Sequence, residues 1–345
     1  MLTENQPLNT AKAVWDFLCE SAGVNEKLYD QKLRAQILEY IPEDVHKNEN
    51  VFESTRIAAD VFIIAFFKAL QPYAQMLSDI LVVFEKAGAT TSNHNVKIEF
   101  DFDAKREPLR FDLNHFRESE AVIREVESRF LNDDESTVYA HSFNLTRLEE
   151  RPLEQYFQDI LQLPIWKARH ELYSVWIFSE IIRAFPYDDI EFIVKDNQIV
   201  FSWEGAHLTT IKTHIGKLEL WCELGSKLAN PVGKGRKGHI KPDYTLTLDV
   251  DNPLKSVLVV ECKQYIKPSS RSFSAALTDY SRGRENANVI LVDYGSVRAK
   301  TILHYVPCDL HNRVHIIGNL VPSSGVQNEF YEYIEQTVEK YLSLK

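Results

Sequence analysis

The segment from Ile240 to Lys263 constrains this chain more than any other. Residues 240–250 alternate, with Ile240, Pro242, Tyr244, Leu246, Leu248 and Val250 apolar and Lys241, Asp243, Thr245, Thr247 and Asp249 polar. That is the period of a strand with one buried face. Asp251-Asn252-Pro253 is turn chemistry, and residues 257–263 (Val-Leu-Val-Val-Glu-Cys-Lys) read as the returning strand of a hairpin. Burying the even-numbered residues together with Leu258, Val260 and Cys262 fixes the register. The odd-numbered positions then share the other face, which brings Asp243, Glu261 and Lys263 within cross-strand reach. Two acids beside a lysine at one strand end suit a hard cation bound through oxygens.

The pattern Pro242-Asp243, seventeen intervening residues, then Glu261-Cys262-Lys263 resembles the PD-(D/E)XK nuclease superfamily, with its restriction-endonuclease-like fold. Lys263-Gln264-Tyr265 is similar to the stretch after the lysine in modification-dependent restriction enzymes. The resemblance covers roughly the C-terminal half. It implies Mg2+ (Mn2+ as substitute) held by Asp243, Glu261 and the Cys262 backbone carbonyl, with Lys263 positioning the attacking water. It also implies DNA as substrate and a place in prokaryotic restriction or anti-phage defence. The opening helix of such nucleases often carries an acid aimed at the metal. Glu171 matches in kind, on the stripe Glu171, Val175, Phe178, Ile182 and Phe185 of a helix expected over 170–185. A glutamate at the first turn is equally what the helix dipole favours, and Glu180 competes on the opposite face. Many relatives carry Gln-x-x-x-Tyr on the following helix; here Tyr280 has Ala276 four residues before it, a departure from the exonuclease branch.

Net charge is −11, unexpected for a nucleic-acid enzyme until the chain is divided. Residues 1–165 carry 17 basic and 29 acidic side chains, whereas residues 166–345 carry 22 and 21. Lys227, Lys234, Arg236, Lys237 and Lys241 occur with no acid among them, and Lys267, Arg271, Arg282 and Arg284 follow the motif lysine. Local cations of this kind are what phosphate contact requires. The expected nucleic-acid contacts are Lys234, Arg236, Lys237, Lys241, Gln264, Tyr280, Arg282 and Arg284. The acidic half is a candidate surface for a protein partner or a second copy.

The fold expected is α/β (α+β overall), a helical N-terminal domain over 1–164 and a mixed sheet flanked by helices over 165–345. Helices are expected over 11–22, 25–40, 53–86 with Pro72 as break or kink, and 116–131, and a strand pair over 96–102 and 109–113. In the second half, a hairpin over 190–194 and 198–203 turns at Asp196-Asn197, and a strand runs over 218–224. Glu219 and Glu223 lie on the polar face of that strand, where either is placed to approach the metal, although solvent-exposed strand acids are far commoner. The sequence 270–284 then 288–293 reads as a helix and a buried strand parallel to the motif strand. A terminal helix spans 327–342.

Four scattered cysteines (Cys19, Cys222, Cys262, Cys308) with no C-x-x-C pair argue against a disulfide scaffold and a zinc site, and fit a reducing cytoplasm. No signal peptide and no membrane span is read from the sequence. Gly233-x-Gly235-x-x-Gly238 matches a dinucleotide fingerprint by letter, but a strand follows where that fingerprint needs a helix. His311 and His315 have ligand spacing in a segment that reads as strand. Trp15, Trp166, Trp176 and Tyr173 read as core. The rival from another class is a non-catalytic module that binds nucleic acid or scaffolds a complex on the same fold.

Overall fold

The structure, a computed structural model, describes residues 59–89, 97–101, 109–130, 169–214, 216–264 and 269–343. The chain forms two compact units, Met1–Gln75 with Arg117–Lys167, and Met76–Phe116 with Ala168–Lys345. The division is therefore not a single cut near residue 165. Residues 76–116, expected in the N-terminal domain, belong to the larger unit, because strands from both parts of the chain pair there. The helices expected over 11–22 and 25–40 lie outside the described residues.

Six helices and twelve strands are described. In chain order they are α1 (Ala59–Lys86), β1 (Lys97–Asp101), β2 (Leu109–Asp112), α2 (Leu113–Phe130) and α3 (Arg169–Arg183). Then come β3 (Ile190–Phe192), β4 (Gln198–Ser202), β5 (Ala206–Thr213), β6 (Gly216–Cys222), β7 (Ser226–Lys227), β8 (His239–Ile240), β9 (Tyr244–Thr247) and β10 (Ser256–Lys263). The chain closes with α4 (Ser270–Gly283), β11 (Asn288–Asp293), α5 (Ala299–Leu303), β12 (Val314–Ile317) and α6 (Gln327–Ser343). Pro72 sits inside α1 without ending it. The class is α/β.

Within the larger unit a seven-stranded mixed sheet has the order β12-β11-β10-β9-β6-β5-β3. Strands β10, β11 and β12 are parallel, and the rest pair antiparallel. The β9–β10 hairpin, the parallel β10–α4–β11 crossover and α6 follow the sequence expectation. Asn252 caps the connecting turn by accepting the Leu254 N–H at 3.1 Å, and Ser269 caps α4 through the Ser272 N–H.

Three expectations change. Burial in the hairpin does not alternate: Tyr244–Thr247 are buried throughout, as are Ser256–Val260 and Glu261. These are central strands with both faces covered. On one face Val259, Val289 and Leu291 pack with Phe273, Ala276, Leu277 and Tyr280 of α4. On the other, Phe178 of α3 meets Tyr244 and Phe201 at 6.0 and 5.2 Å between ring centroids. Second, the hairpin expected around Asp196-Asn197 keeps its turn, with both residues at positive φ, and the single antiparallel Lys195–Gln198 bridge that closes it, but the strands beyond the bridge part. Strand β3 pairs with β5, and β4 runs parallel to β1 in a separate sheet, β2-β1-β4. Third, β5 is an additional strand, one that the sequence pattern conceals because its polar Thr209 and Thr210 are buried. Among the described residues no helix is long and apolar enough to cross a membrane.

Candidate active site

The antiparallel ladder between β9 and β10 sets Val260 against Tyr244. One step further it would set Glu261 against Asp243, but the backbone pairing ends there. The Asp243 side chain takes over, accepting the Cys262 N–H on Oδ2 at 2.5 Å. Asp243 is thereby fixed beside Glu261, which is 3% exposed and ion-paired with Lys263. The sequence-predicted trio is brought together, at the carboxyl end of a parallel strand where ligands of α/β sheets bind.

A fourth group joins it. Glu223 follows β6 in the left-handed region at φ 48°, and its N–H donates to the Asp243 carbonyl at 3.1 Å. Non-glycine residues are held there only when their surroundings over-determine them. Of the two acids that spacing leaves equivalent, Glu223 is the one at the site. Glu219 instead accepts from the Trp221 indole at 2.9 Å.

The site is electrostatically uneasy. Burial, then the Glu261 charge, push the Asp243 carboxyl up to about 7, against the pull of Lys263 and the Cys262 N–H. Burial followed by the charges of Asp243 and Glu261 pushes Glu223 up to about 9, with Lys241 and Lys263 opposing. At Lys263, burial alone would favour the neutral amine, but Glu261 and Asp243 outweigh it and hold the ammonium. Burial and the same two acids keep the Cys262 thiol protonated, so any part Cys262 plays falls to its backbone. Mutual repulsion among close carboxylates is what a bound cation relieves.

Glu171 lies half-buried in the first turn of α3, three residues ahead of Ser174. The Ser174 hydroxyl is 2.9 Å from that of Tyr244, the residue after Asp243. Helix α3 therefore reaches the start of β9 through Ser174. Glu180 is engaged elsewhere: its carboxylate accepts from Gln327 at 2.8 Å and from the Tyr331 hydroxyl, and pairs with Arg183.

The expected nucleic-acid residues divide. Lys234, Lys237, Lys241 and Arg282 are exposed. Arg284 is 1% exposed and donates to the Leu224 carbonyl at 2.7 Å and the Ser256 hydroxyl at 3.2 Å. It braces the interior and does not reach a phosphate. Tyr280 is buried too, donating to the Lys241 carbonyl at 3.2 Å, and so is Gln264. The i, i+4, i+8 spacing of Ala276, Tyr280 and Arg284 puts all three on the buried face of α4 and its end, a signal that charge counting overlooks. Arg236 donates to Asp279 at 2.9 Å and to the Tyr280 hydroxyl at 3.1 Å. Asp279 also accepts the N–H groups of Val232 and Gly233 at 2.7 and 2.8 Å. A Cβ at Gly233 would lie 2.1 Å from the Arg236 guanidinium, so a side chain there would displace the Arg236–Asp279 pair. The glycine-rich loop is thus pinned to α4 and joins no dinucleotide fold. His311 bonds to the Leu303 and Val306 carbonyls and His315 to Glu329, so the two do not share a ligand.

Residues 11–127 match a domain of unknown function (DUF8600). A relative, the uncharacterized protein y4bO of Sinorhizobium fredii (strain NBRC 101917 / NGR234), is 31% identical over 179 residues, 52% of this chain. The aligned part is only 29% of that protein. No solved structure matches. The family described as Y4bO third domain matches residues 168–342, more than half of the chain and including Asp243, Glu261 and Lys263, and the chain belongs to that family.

Proposed function

We propose that the larger unit is a metal-dependent nuclease that hydrolyses phosphodiester bonds of DNA, in the manner of restriction-endonuclease-like enzymes. The observation that carries the reading is the convergence of Asp243, Glu261 and Lys263 from two strands, with the Asp243 side chain locked by the Cys262 N–H at 2.5 Å. The residues fit a hard divalent cation. The donors are oxygens, and the Asp243 carboxyl is raised by burial and then by the like charge of Glu261, which a cation would offset. Among the described residues no group of three or more His, Cys, Asp and Glu side chains is placed to hold a metal unaided. Mg2+ commonly takes one or two carboxylates and fills its shell with water and phosphate oxygens. Asp243 and Glu261 would hold it, with the Cys262 carbonyl as a further oxygen.

When bound, the ion would acidify a coordinated water and neutralise charge on the phosphate. The chain's own part is positional. The Cys262 N–H fixes Asp243, Glu261 orients Lys263, and the Lys263 ammonium faces the charge that develops on the phosphate. The exposed Lys234, Lys237 and Lys241 would meet the DNA backbone. A role in prokaryotic restriction or anti-phage defence extends the same proposal.

The test is incubation of the full chain with linear, circular and single-stranded DNA in magnesium, manganese or chelator. Cleavage that needs the divalent ion is expected. Metal-independent binding without cleavage would replace the reading with a binding module.

A further inference from the structure

A tryptophan stands at the corner of a tight turn, a place that ordinarily goes to small or turn-forming residues. The turn Ser202-Trp203-Glu204-Gly205 is closed by the Gly205 N–H on the Ser202 carbonyl at 3.0 Å, and Ser202 Oγ accepts the Glu204 N–H at 3.2 Å. Such corners favour Gly, Pro, Asn, Asp and Ser. Trp203 is half-buried, and its N–H is tied to the Asp101 carbonyl at 2.9 Å. The Lys241 ammonium sits 4.8 Å from the indole centroid and donates to the Trp203 carbonyl at 2.8 Å.

The turn is seated directly on the carboxylate site. Gly205, at φ 98°, passes so close to Glu223 that a Cβ would lie 3.1 Å from the Glu223 carbonyl oxygen. The Glu223 N–H in turn bonds to the Asp243 carbonyl at 3.1 Å. Lys241, packed over the indole, stands two residues before Asp243. The turn that carries Trp203 is thus tied through Glu223 to Asp243, and the Lys241 cation packed on its ring acts on Glu223. Any side chain but glycine at 205 would push the turn away.

We propose that Trp203 is a base-stacking residue and that the substrate presents an unpaired base to it: a single strand, or a duplex locally opened at the site. Lys241 takes the adjoining phosphate. In an intact duplex the faces of the bases are stacked on one another and cannot meet the indole, whereas every unpaired base has a face to offer. The assignment rests on the nuclease reading only for what lies beyond the ring.

The experiment is equilibrium binding in chelator, so that no hydrolysis is involved. The probes are a fluorescent oligothymidylate, an abasic oligonucleotide of equal length and charge, and a duplex. The oligothymidylate is expected to bind at least about tenfold more tightly than the abasic strand. Trp203→Leu, which keeps apolar volume without a stacking plane, should lose about 5- to 100-fold on oligothymidylate and little on the abasic strand or the duplex. Trp203→Phe keeps a ring and should retain most of the affinity. Should Trp203→Leu fold poorly, the wild-type comparison of thymidylate with abasic strand and the Trp203→Phe variant carry the decision. Equal binding of thymidylate and abasic strands overturns the proposal. So does a thymidylate preference that survives in Trp203→Leu, or absence of binding to all three probes. Stacking that persists while no divalent ion ever promotes cleavage would sink the nuclease reading and leave Trp203 in place.

Discussion

Two acids in the larger unit, Glu180 buried and Glu223 half-buried, have carboxyls raised first of all by desolvation, and what surrounds them is opposite. Around Glu180 the remaining influences mostly pull its carboxyl back down: Arg183, then hydrogen bonds from Tyr331 and Gln327 of α6. Around Glu223 the next influences are the charges of Asp243 and Glu261, which push further up, and only Lys241 and Lys263 oppose them. One acid ties α3 to the terminal helix. The other stands in a group that the fold has brought together at an electrostatic cost. Burial of a charge says little about function; the sign of the neighbours says more.

The widest contrast is expected in cleavage. Asp243→Asn and Glu261→Gln should each lower divalent-dependent DNA cleavage by about a hundredfold to a thousandfold or more, since each removes a ligand charge. Glu180→Gln should leave cleavage per folded molecule within a few-fold. Initial rates at saturating DNA and ion decide it, and full activity in Glu261→Gln would end the distinction.

Stability should separate the two acids in sign. Glu180→Ala deprives Arg183 and Tyr331 of their partner and should cost about 2–4 kcal/mol, toward the low end of buried-pair losses because Arg183 keeps Asp79. Glu223→Gln should raise the melting temperature of the metal-free protein at alkaline pH. The reason is linkage. An acid whose folded pKa is raised binds more protons folded than unfolded, so its stabilisation is complete below the unfolded pKa and is lost as pH rises through the folded value. With Asp243 near 7 and Glu223 near 9, the metal-free protein should lose stability from the ordinary carboxylate range up to about pH 9. Asp243→Asn and Glu223→Gln should flatten that decline, and added Mg2+ should offset it. Melting curves across pH with and without chelator test this. A wild-type stability that climbs through the same range would contradict it.

The site is legible in sequence wherever one local pattern carries it. The hairpin from Tyr244 to Lys263 can be read because the turn at Asn252-Pro253 and the apolar run set the register, and register alone places Asp243 beside Glu261. The crossover through α4 follows from helix-then-strand order. What escapes depends on residues far apart in the chain. Nothing within residues 190–203 says that β4 will leave its turn neighbour for β1, or that β3 will pair with β5. Glu223 reaches the site because the chain turns at a strained residue after β6, which strand alternation does not encode. Arg284 counts as a cation in composition and is a brace inside the protein. Trp203 reads as the end of a strand, and the turn that presents it is set by packing against Glu223.

The loop and helix α4 give the narrowest comparison, between cations that are spent and cations that are free to act. Arg236 is held by Asp279 and Tyr280, so its charge positions the loop, whereas Lys234 and Lys237 are exposed on it. Neutralising the two lysines together should therefore lower the slope of log affinity against log salt by about 1.8 for a duplex, or about 1.4 for a single strand, at roughly 0.9 and 0.7 for each phosphate no longer neutralised. Affinity should fall alike for all sequences, and cleavage at saturating DNA should persist, because the carboxylates are untouched. Arg236→Gln should act differently. Freed from Asp279, the loop should become a substrate for trypsin at Lys234 and Lys237, and affinity should fall because the lysines no longer hold one position. If the double lysine variant keeps the wild-type salt slope, these charges only solvate the loop. If Arg236→Gln lowers the slope as a lysine change would without opening the loop to trypsin, Arg236 itself binds a phosphate and its bond to Asp279 gives way to DNA.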